Sequence, residues 1–300
     1  MNRPPDRPLV CAVVLNWCGD AVTSACLRSL MRSDYDNLEI VLVDNGSPDG
    51  SGDRLKSAFP DVCFIQTGRN LGYTGGNNRG IEAALRIDPR YVLVLNNDTV
   101  VDPGCVSCLV DAAESLPYVG AVGAKILEYQ RPDRIWFAGG SLSRVRMIGK
   151  HQQAGELDGK AGVAQTREVS FLTGCCLLLP GGVLREVGSF KEELFMYVED
   201  VELCLRLVAA GYRLYYQPRA RLWHRSSPPG ESPPAPWQIV LRDRNRSRVA
   251  RMYLSRVERL AFGFFFVSSR LVRMARYAAC WDWDRAGAVW RGLASNGERS

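Results

Sequence analysis

The sequence predicts an α/β protein: a Rossmann-like, mostly parallel central sheet flanked by helices, with a helical extension at the C-terminus. Two observations carry this. Short, nearly continuous apolar runs alternate with helical patterns through the first 125 residues, as expected of strands buried on both faces and joined by crossover helices. Three of those runs stop in polar side chains: Asn16 after "VVL", Asp44 and Asn45 after "VLV", and Asn96, Asn97 and Asp98 after "LVL". Open parallel sheets bind ligands outside the carboxyl ends of their strands. One polar ending is an ordinary turn or helix cap; three together mark a cleft.

The elements follow in order. "LVCAVVLN" is the first strand, followed by a helix around Asp20 to Arg32. "LEIVLVDN" and "VCFIQT" are the next strands, and a helix is predicted from Gly76 to Arg86. "YVLVLNND", a helix around Pro103 to Ser115 and "VGAVGAKI" complete the regular part. Between Leu127 and Val169 the pattern degrades, and "HQQAGELDGKAGVAQTRE" reads as a mobile loop. It returns with "VSFLTGCCLLLP", an apolar strand broken by Thr173 and Gly174. Val201, Leu203, Leu205, Leu207 and Val208, closed by Gly211, predict a helix from near Glu199. "RLYYQPRARLWH" supplies a last strand. The domain reading is therefore a catalytic domain over 1–226, a proline-rich hinge over 227–236 and a basic amphipathic tail over 237–300.

Bulk composition narrows the class. The 300 residues are 46% apolar, enough for a sizeable core. No stretch approaches the ~20 apolar residues that cross a bilayer, and "MNRPPDRPLV" lacks an apolar signal core, so a cytoplasmic protein is expected. The ten cysteines sit mostly in apolar runs and read as reduced core residues. Cys105 and Cys108 have the spacing of half a zinc site, but no second pair follows. From Trp237 onward there are 13 Lys and Arg against 5 Asp and Glu, a net of +8, so the remainder of the +6 chain carries −2.

Several residues suit chemistry. Asp98, at a strand's carboxyl end, fits a hard divalent cation that keeps waters and bridges phosphate oxygens, and His224 is the candidate second ligand. The Asp44 carboxylate suits a base N–H or a ribose hydroxyl. "GRNLGYTGGNNRG" combines Gly72, Gly75, Gly76 and Gly80 with Arg69, Asn70 and Asn77, in a glycine-rich turn leading to a helix that favours anions. It lacks G-x-G-x-x-G, which disfavours a nicotinamide or flavin dinucleotide. Glu199 and Asp200 open a helix, where carboxylates are also favoured by the dipole; beside an acceptor hydroxyl, one can act as general base. Thr173, Gly174 and Cys175 interrupt a strand, as where a ligand approaches closely.

With Asp44, "NLGYTGGNNRG", "NND", "TGC", "ED" and "WH" in order over residues 10 to 225, the sequence resembles glycosyltransferase family 2, in particular its bacterial rhamnosyltransferase-like members. The resemblance implies a GT-A fold and inverting transfer from a dTDP-, UDP- or GDP-linked sugar to a glycan or polyprenyl-linked glycan. It implies Mg2+ or Mn2+ on Asp98 with His224, Asn97 near the ribose, Asp44 at the base, and Arg69 and Asn70 closing over the nucleotide. Asp200 would be the general base, supported by Glu199. The first acid of the family's D-x-D is here Asn96, which leaves a cation site assembled with the donor.

The tail suits an anionic membrane surface at the inner face of the plasma membrane, or a helix packing its aromatics on the domain with arginines in water. Arg244 and Arg246 are candidates to reach an acceptor diphosphate. A nucleic-acid-binding tail is the rival from another class, but no reading motif supports it and no nucleic acid is expected. A nucleotidyltransferase on a similar sheet is the rival among enzymes.

Overall fold

The computed structural model describes residues 7–159, 164–225 and 233–294. The core is one mixed sheet built around four parallel strands: β1 (Val10–Asn16), β2 (Leu38–Asp44), β3 (Cys63–Gln66) and β4 (Tyr91–Asn96), ordered β3-β2-β1-β4. The Val and Leu side chains of β1, β2 and β4 are mostly buried on both faces, which is why these runs carry no alternation. Helices α1 (Asp20–Leu30), α2 (Ser51–Ala58) and α3 (Gly72–Arg86) connect them. α3 starts one turn before the predicted Gly76. Its Gly72, Gly76 and Gly80 recur every fourth residue, and a Cβ on the last two would collide with Leu15 and Val13, so the helix lies flush against β1.

Beyond β4 the sheet changes direction. A short β5 (Thr99–Val101) precedes α4 (Cys105–Ser115) and the long β6 (Val119–Glu128). The segment expected as a loop instead holds β7 (Ile135–Phe137), the hairpin β8 (Gly140–Ser143) and β9 (Ile148–His151), and β10 (Arg167–Val169), with residues 160–163 outside the described ones. Its strands are three or four residues long, too short for a periodic signal. The strand expected across Thr173 is likewise two: β10 pairs with β12 (Arg213–His224), while β11 (Cys176–Pro180) runs antiparallel between β4 and β6. α5 (Gly181–Val187) and α6 (Glu199–Ala209) follow β11.

The C-terminal extension is α7 (Pro236–Tyr253), α8 (Arg256–Ala279) and α9 (Trp283–Ala294); residues 226–232, most of the proline-rich hinge, lie outside the described residues. α7 is fastened to the chain before α6: Asn245 Nδ2 donates to the carbonyls of Leu194, Met196 and Tyr197 at 2.7 to 2.9 Å. Buried Asp243 accepts from the Arg270 guanidinium, tying α7 to α8. α8 opens on a capping box, Ser255 with Glu258. It divides its aromatics between faces. Phe262 and Phe266 pack inward, whereas Phe264 is 80% exposed. None of the helices among the described residues is long and apolar enough to cross a membrane.

Candidate active site

Register brings the polar strand ends together. Asn16 pairs with Asp44 and Leu15 with Asn96, so β1, β2 and β4 end on one line. Buried Asn16 is the hub: its Nδ2 donates to Asp44 Oδ1 at 2.7 Å, Ser51 Oγ at 3.1 Å and Ser47 Oγ at 3.2 Å. Its Oδ1 accepts from Thr23 Oγ1 at 2.8 Å, and that hydroxyl accepts from Asn97 Nδ2 at 2.7 Å. Asp44 also accepts from Ser47 and from Gln66 Nε2. Burial alone would raise its pKa, but the bonds from Ser47, Asn16 and Gln66 outweigh it and hold the carboxyl below its ordinary value.

Above this network lies a cleft of about 350 Å³, lined among others by Trp17, Asn70, Tyr73, Asn97, Asp98 and Met196. Buried Asn45 shapes one wall: its Nδ2 donates to Asn70 Oδ1 and the Gly72 carbonyl, and its Oδ1 accepts from Leu71 N. Arg69 and Asn70 are exposed, with Gly46 in a left-handed turn against the Arg69 backbone. Asn16, Asp44, Gly76 and Asn77 stand behind the wall. Asn77 Nδ2 donates to the Tyr73 carbonyl, while its buried Oδ1 has no hydrogen-bond partner among the described residues.

Asn96 to Asp98 form the turn from β4 into β5. β5 pairs with the end of β12, which carries His224 across 126 residues of chain to Asp98: Nε2 and Oδ1 lie 3.0 Å apart. His224 is buried edge-on to Trp136, with Nδ1 unpartnered among the described residues. Among the described residues no group of three His, Cys, Asp or Glu could hold a metal. Asp98 and His224 thus fit a cation only as two ligands, with phosphate and water supplying the rest.

The acids sit across the 173–175 segment. Cys175 accepts from Asn96 N, Tyr73 Oη donates to the Gly174 carbonyl at 2.7 Å, and Gly174 N donates to Asp200 Oδ2 at 3.3 Å. Thr173, Gly174 and Cys175 are all buried. Phe195, Tyr197 and Val198 precede α6 with positive φ of 61°, 69° and 70°, backbone strain that holds Glu199 and Asp200 at the helix start. Burial raises both carboxyl pKa values, and for Glu199 the Asp200 charge adds to it. Buried Glu199 Oε2 has no hydrogen-bond partner among the described residues. Burial thus favours the protonated form of both carboxyls, most strongly that of Glu199 beside the Asp200 charge.

Arg246 is buried and donates to the Arg146 carbonyl. Arg244 is half-buried, its basicity lowered by burial and by Arg248. Thr23, Tyr73 and Trp136 carry much of the site's geometry without a signal in the sequence, whereas Asn45 is marked there as a polar strand ending beside Asp44.

A cleft at the carboxyl ends of a Rossmann-like sheet, with a carboxylate turn and two helix-start acids beside it, is the arrangement that the resemblance to a GT-A glycosyltransferase implies. The glycosyl transferase family 2 profile matches residues 18–187. The N-acetylglucosaminyl-diphospho-decaprenol L-rhamnosyltransferase of Mycobacterium tuberculosis is 31% identical over 220 residues, 67% of this chain and 71% of that protein. The low-salt glycan biosynthesis hexosyltransferase Agl10 of Haloferax volcanii is 30% identical over 56% of this chain and 52% of its own length. In fold, the chain is similar to GalNAc-T7 solved with UDP, GalNAc and Mn2+ (TM-score 0.60, 15% identity, 78% of this chain and 48% of that one). It is also similar to the mannosyltransferase PcManGT of Pyrobaculum calidifontis with GDP-Man and Mn2+ (TM-score 0.55, 15% identity, 97% and 87%). The chain belongs to glycosyltransferase family 2.

Proposed function

We propose that the chain transfers a sugar, rhamnose from a dTDP carrier in the first instance, with inversion onto a hydroxyl of a glycan linked through diphosphate to a membrane lipid. The single observation that carries this is the joining of Asp98, in the turn after β4, to Asp200, at the start of α6, through one hydrogen-bonded segment, Asn96–Cys175–Gly174. The 31% identical relative, named for an acceptor of that chemical kind, supports the acceptor class.

In this reading Asn97, Asp98, Asn70 and Tyr73 orient the donor over the Asn16 network. Ionised Asp200 takes the proton of the acceptor hydroxyl. The freed oxygen bonds to the anomeric carbon from the face opposite the nucleotide, and the carbon–diphosphate bond breaks on the other side. A divalent cation, Mg2+ or Mn2+, held by Asp98 and His224 with the donor phosphates, would supply charge neutralisation at the leaving diphosphate. Protonated Glu199 keeps Asp200's electron pair available by leaving it the only charge of the pair.

The outward face of α8 supports a peripheral seat on an anionic membrane. Val257, Leu260, Phe264, Val267 and Leu271 follow at alternating three- and four-residue steps and are all exposed, with Arg256 and Arg276 beside them. Titration with nucleoside diphosphates by calorimetry, with and without Mg2+ or Mn2+, tests the donor half. Metal-dependent binding that Asp98→Ala abolishes supports the proposal; binding of no nucleotide overturns it.

A further inference from the structure

A second cavity, larger than the donor cleft, lies outside it. It measures about 810 Å³ and is walled by Arg131 and Arg134 from the loop after β6, by Arg146, Lys150 and His151 from the β8–β9 hairpin, and by Glu128. Buried Glu128 accepts from Arg131. Burial drives the His151 pKa down to about 4, so its ring is neutral at pH 7. Four cations less one carboxylate leave a net +3 on the lining. A cavity so charged selects an anion.

Its position identifies the anion. On one side, His151 packs on Trp136 at 4.6 Å, and Trp136 on His224 at 4.6 Å, the residue that touches Asp98. His151 also stacks on Phe171, two residues before Thr173. On the other side, the hairpin is fastened to α8: Arg146 lies over the Phe265 ring at 5.0 Å, and Arg144 Nε donates to Glu258 Oε1 at 2.7 Å. Phe265 adjoins Phe264 of the exposed apolar stripe. The basic cavity thus stands between a lipid-compatible helix face and the Asp98–Asp200 centre.

We propose that this cavity seats the diphosphate of a lipid-linked acceptor, with Arg134, Arg146 and Lys150 as its cationic partners and the prenyl chain leaving along α8. This rests on the acceptor class proposed above, but it assigns a second anion site, independent of Asp98.

The test measures binding of farnesyl diphosphate, farnesol and inorganic pyrophosphate to the full chain, through quenching of tryptophan fluorescence. Variants are Lys150→Glu, Lys150→Glu with Arg134→Gln, and Asp98→Ala. Lys150 is exposed, so its single variant guards against a folding defect in the pair. The wild type is expected to bind farnesyl diphosphate at least tenfold more tightly than either farnesol or pyrophosphate. Each cation removed is expected to weaken it by about tenfold, with Asp98→Ala unchanged. Equal affinity for farnesol, equal affinity for pyrophosphate, or undiminished binding in the double variant overturns the assignment. Nucleotide binding, measured separately on the double variant, is expected to match the wild type; its loss there would merge the two sites and overturn their independence. Failure of the donor reading shows instead as absent nucleotide binding in the wild type, so the two failures are distinguishable.

Discussion

Replacing Asn16 by alanine probes the network under the donor cleft. The variant removes the 2.7 Å bond to the Asp44 carboxylate, a charge-assisted bond worth about 1.5 to 3 kcal/mol. It also takes away the acceptor of the buried Thr23 hydroxyl, a desolvation cost of about 1 to 3 kcal/mol. The Ser47 hydroxyl keeps its own bond to Asp44 at 2.6 Å, so that bond is not lost. Water entering a space with polar walls recovers part of the loss. The balance is a destabilisation of roughly 2 to 4 kcal/mol, a large share of the 5 to 15 kcal/mol typical of a folded domain. Urea unfolding followed by circular dichroism reads it as a lower midpoint at unchanged slope. The sign with pH is fixed as well. Asp44 is held below its unfolded value, so its bonds stabilise the fold above that value and the contribution is lost as pH falls through the folded one. The gap between wild type and variant is therefore widest near neutrality and narrows in acid. A loss under about 0.5 kcal/mol, or a gap that grows on acidification, would refute this account of the strand ends.

Other consequences concern the acids, the helix packing and the tail. Glu199 has a raised pKa, so the folded state holds its proton more tightly and stability falls as pH rises from the unfolded value through the folded one. Glu199→Gln escapes that fall, and its unfolding free energy from urea titration should gain on the wild type between pH 5 and pH 9, by on the order of 1 to 3 kcal/mol; a constant difference would contradict the burial argument. Gly80→Ala forces a methyl into Val13 and Val43 and should cost about 1 to 3 kcal/mol in thermal or urea unfolding, whereas Gly182→Ala, with open space around it, should change stability by less than about 1 kcal/mol. Leu260→Asp with Phe264→Asp, both on exposed positions, should leave the melting temperature unchanged and abolish co-sedimentation with anionic vesicles; retained binding would remove α8 from the membrane reading.

Where the sequence could be read, a strong local pattern was the reason. β1, β2 and β4 are apolar runs ending in Asn or Asp, and burial on both faces produces that pattern without help from distant residues. The helix at Glu199 announced itself by periodicity. The β7–β10 region did not, because its strands are short and held by partners far along the chain, such as Gly140 bridging Phe171. The contact between Asp98 and His224 depends on β5 pairing with β12, a tertiary event with no local signature. Thr23 is an unremarkable residue in a helix until β1 and β4 are side by side. The division of the α8 aromatics between faces is likewise tertiary: Phe262 and Phe266 share the inward face with Arg270, which is paired to Asp243 of α7, while Phe264 faces outward.

The most direct test of the central claim is acceptor-dependent release of nucleoside diphosphate by the wild type and Asp200→Asn, with donor affinity measured in parallel. The account predicts kcat reduced by about 10² to 10⁴ in the variant at unchanged donor affinity. Turnover within a few-fold of wild type would remove Asp200 as the base and contradict the account.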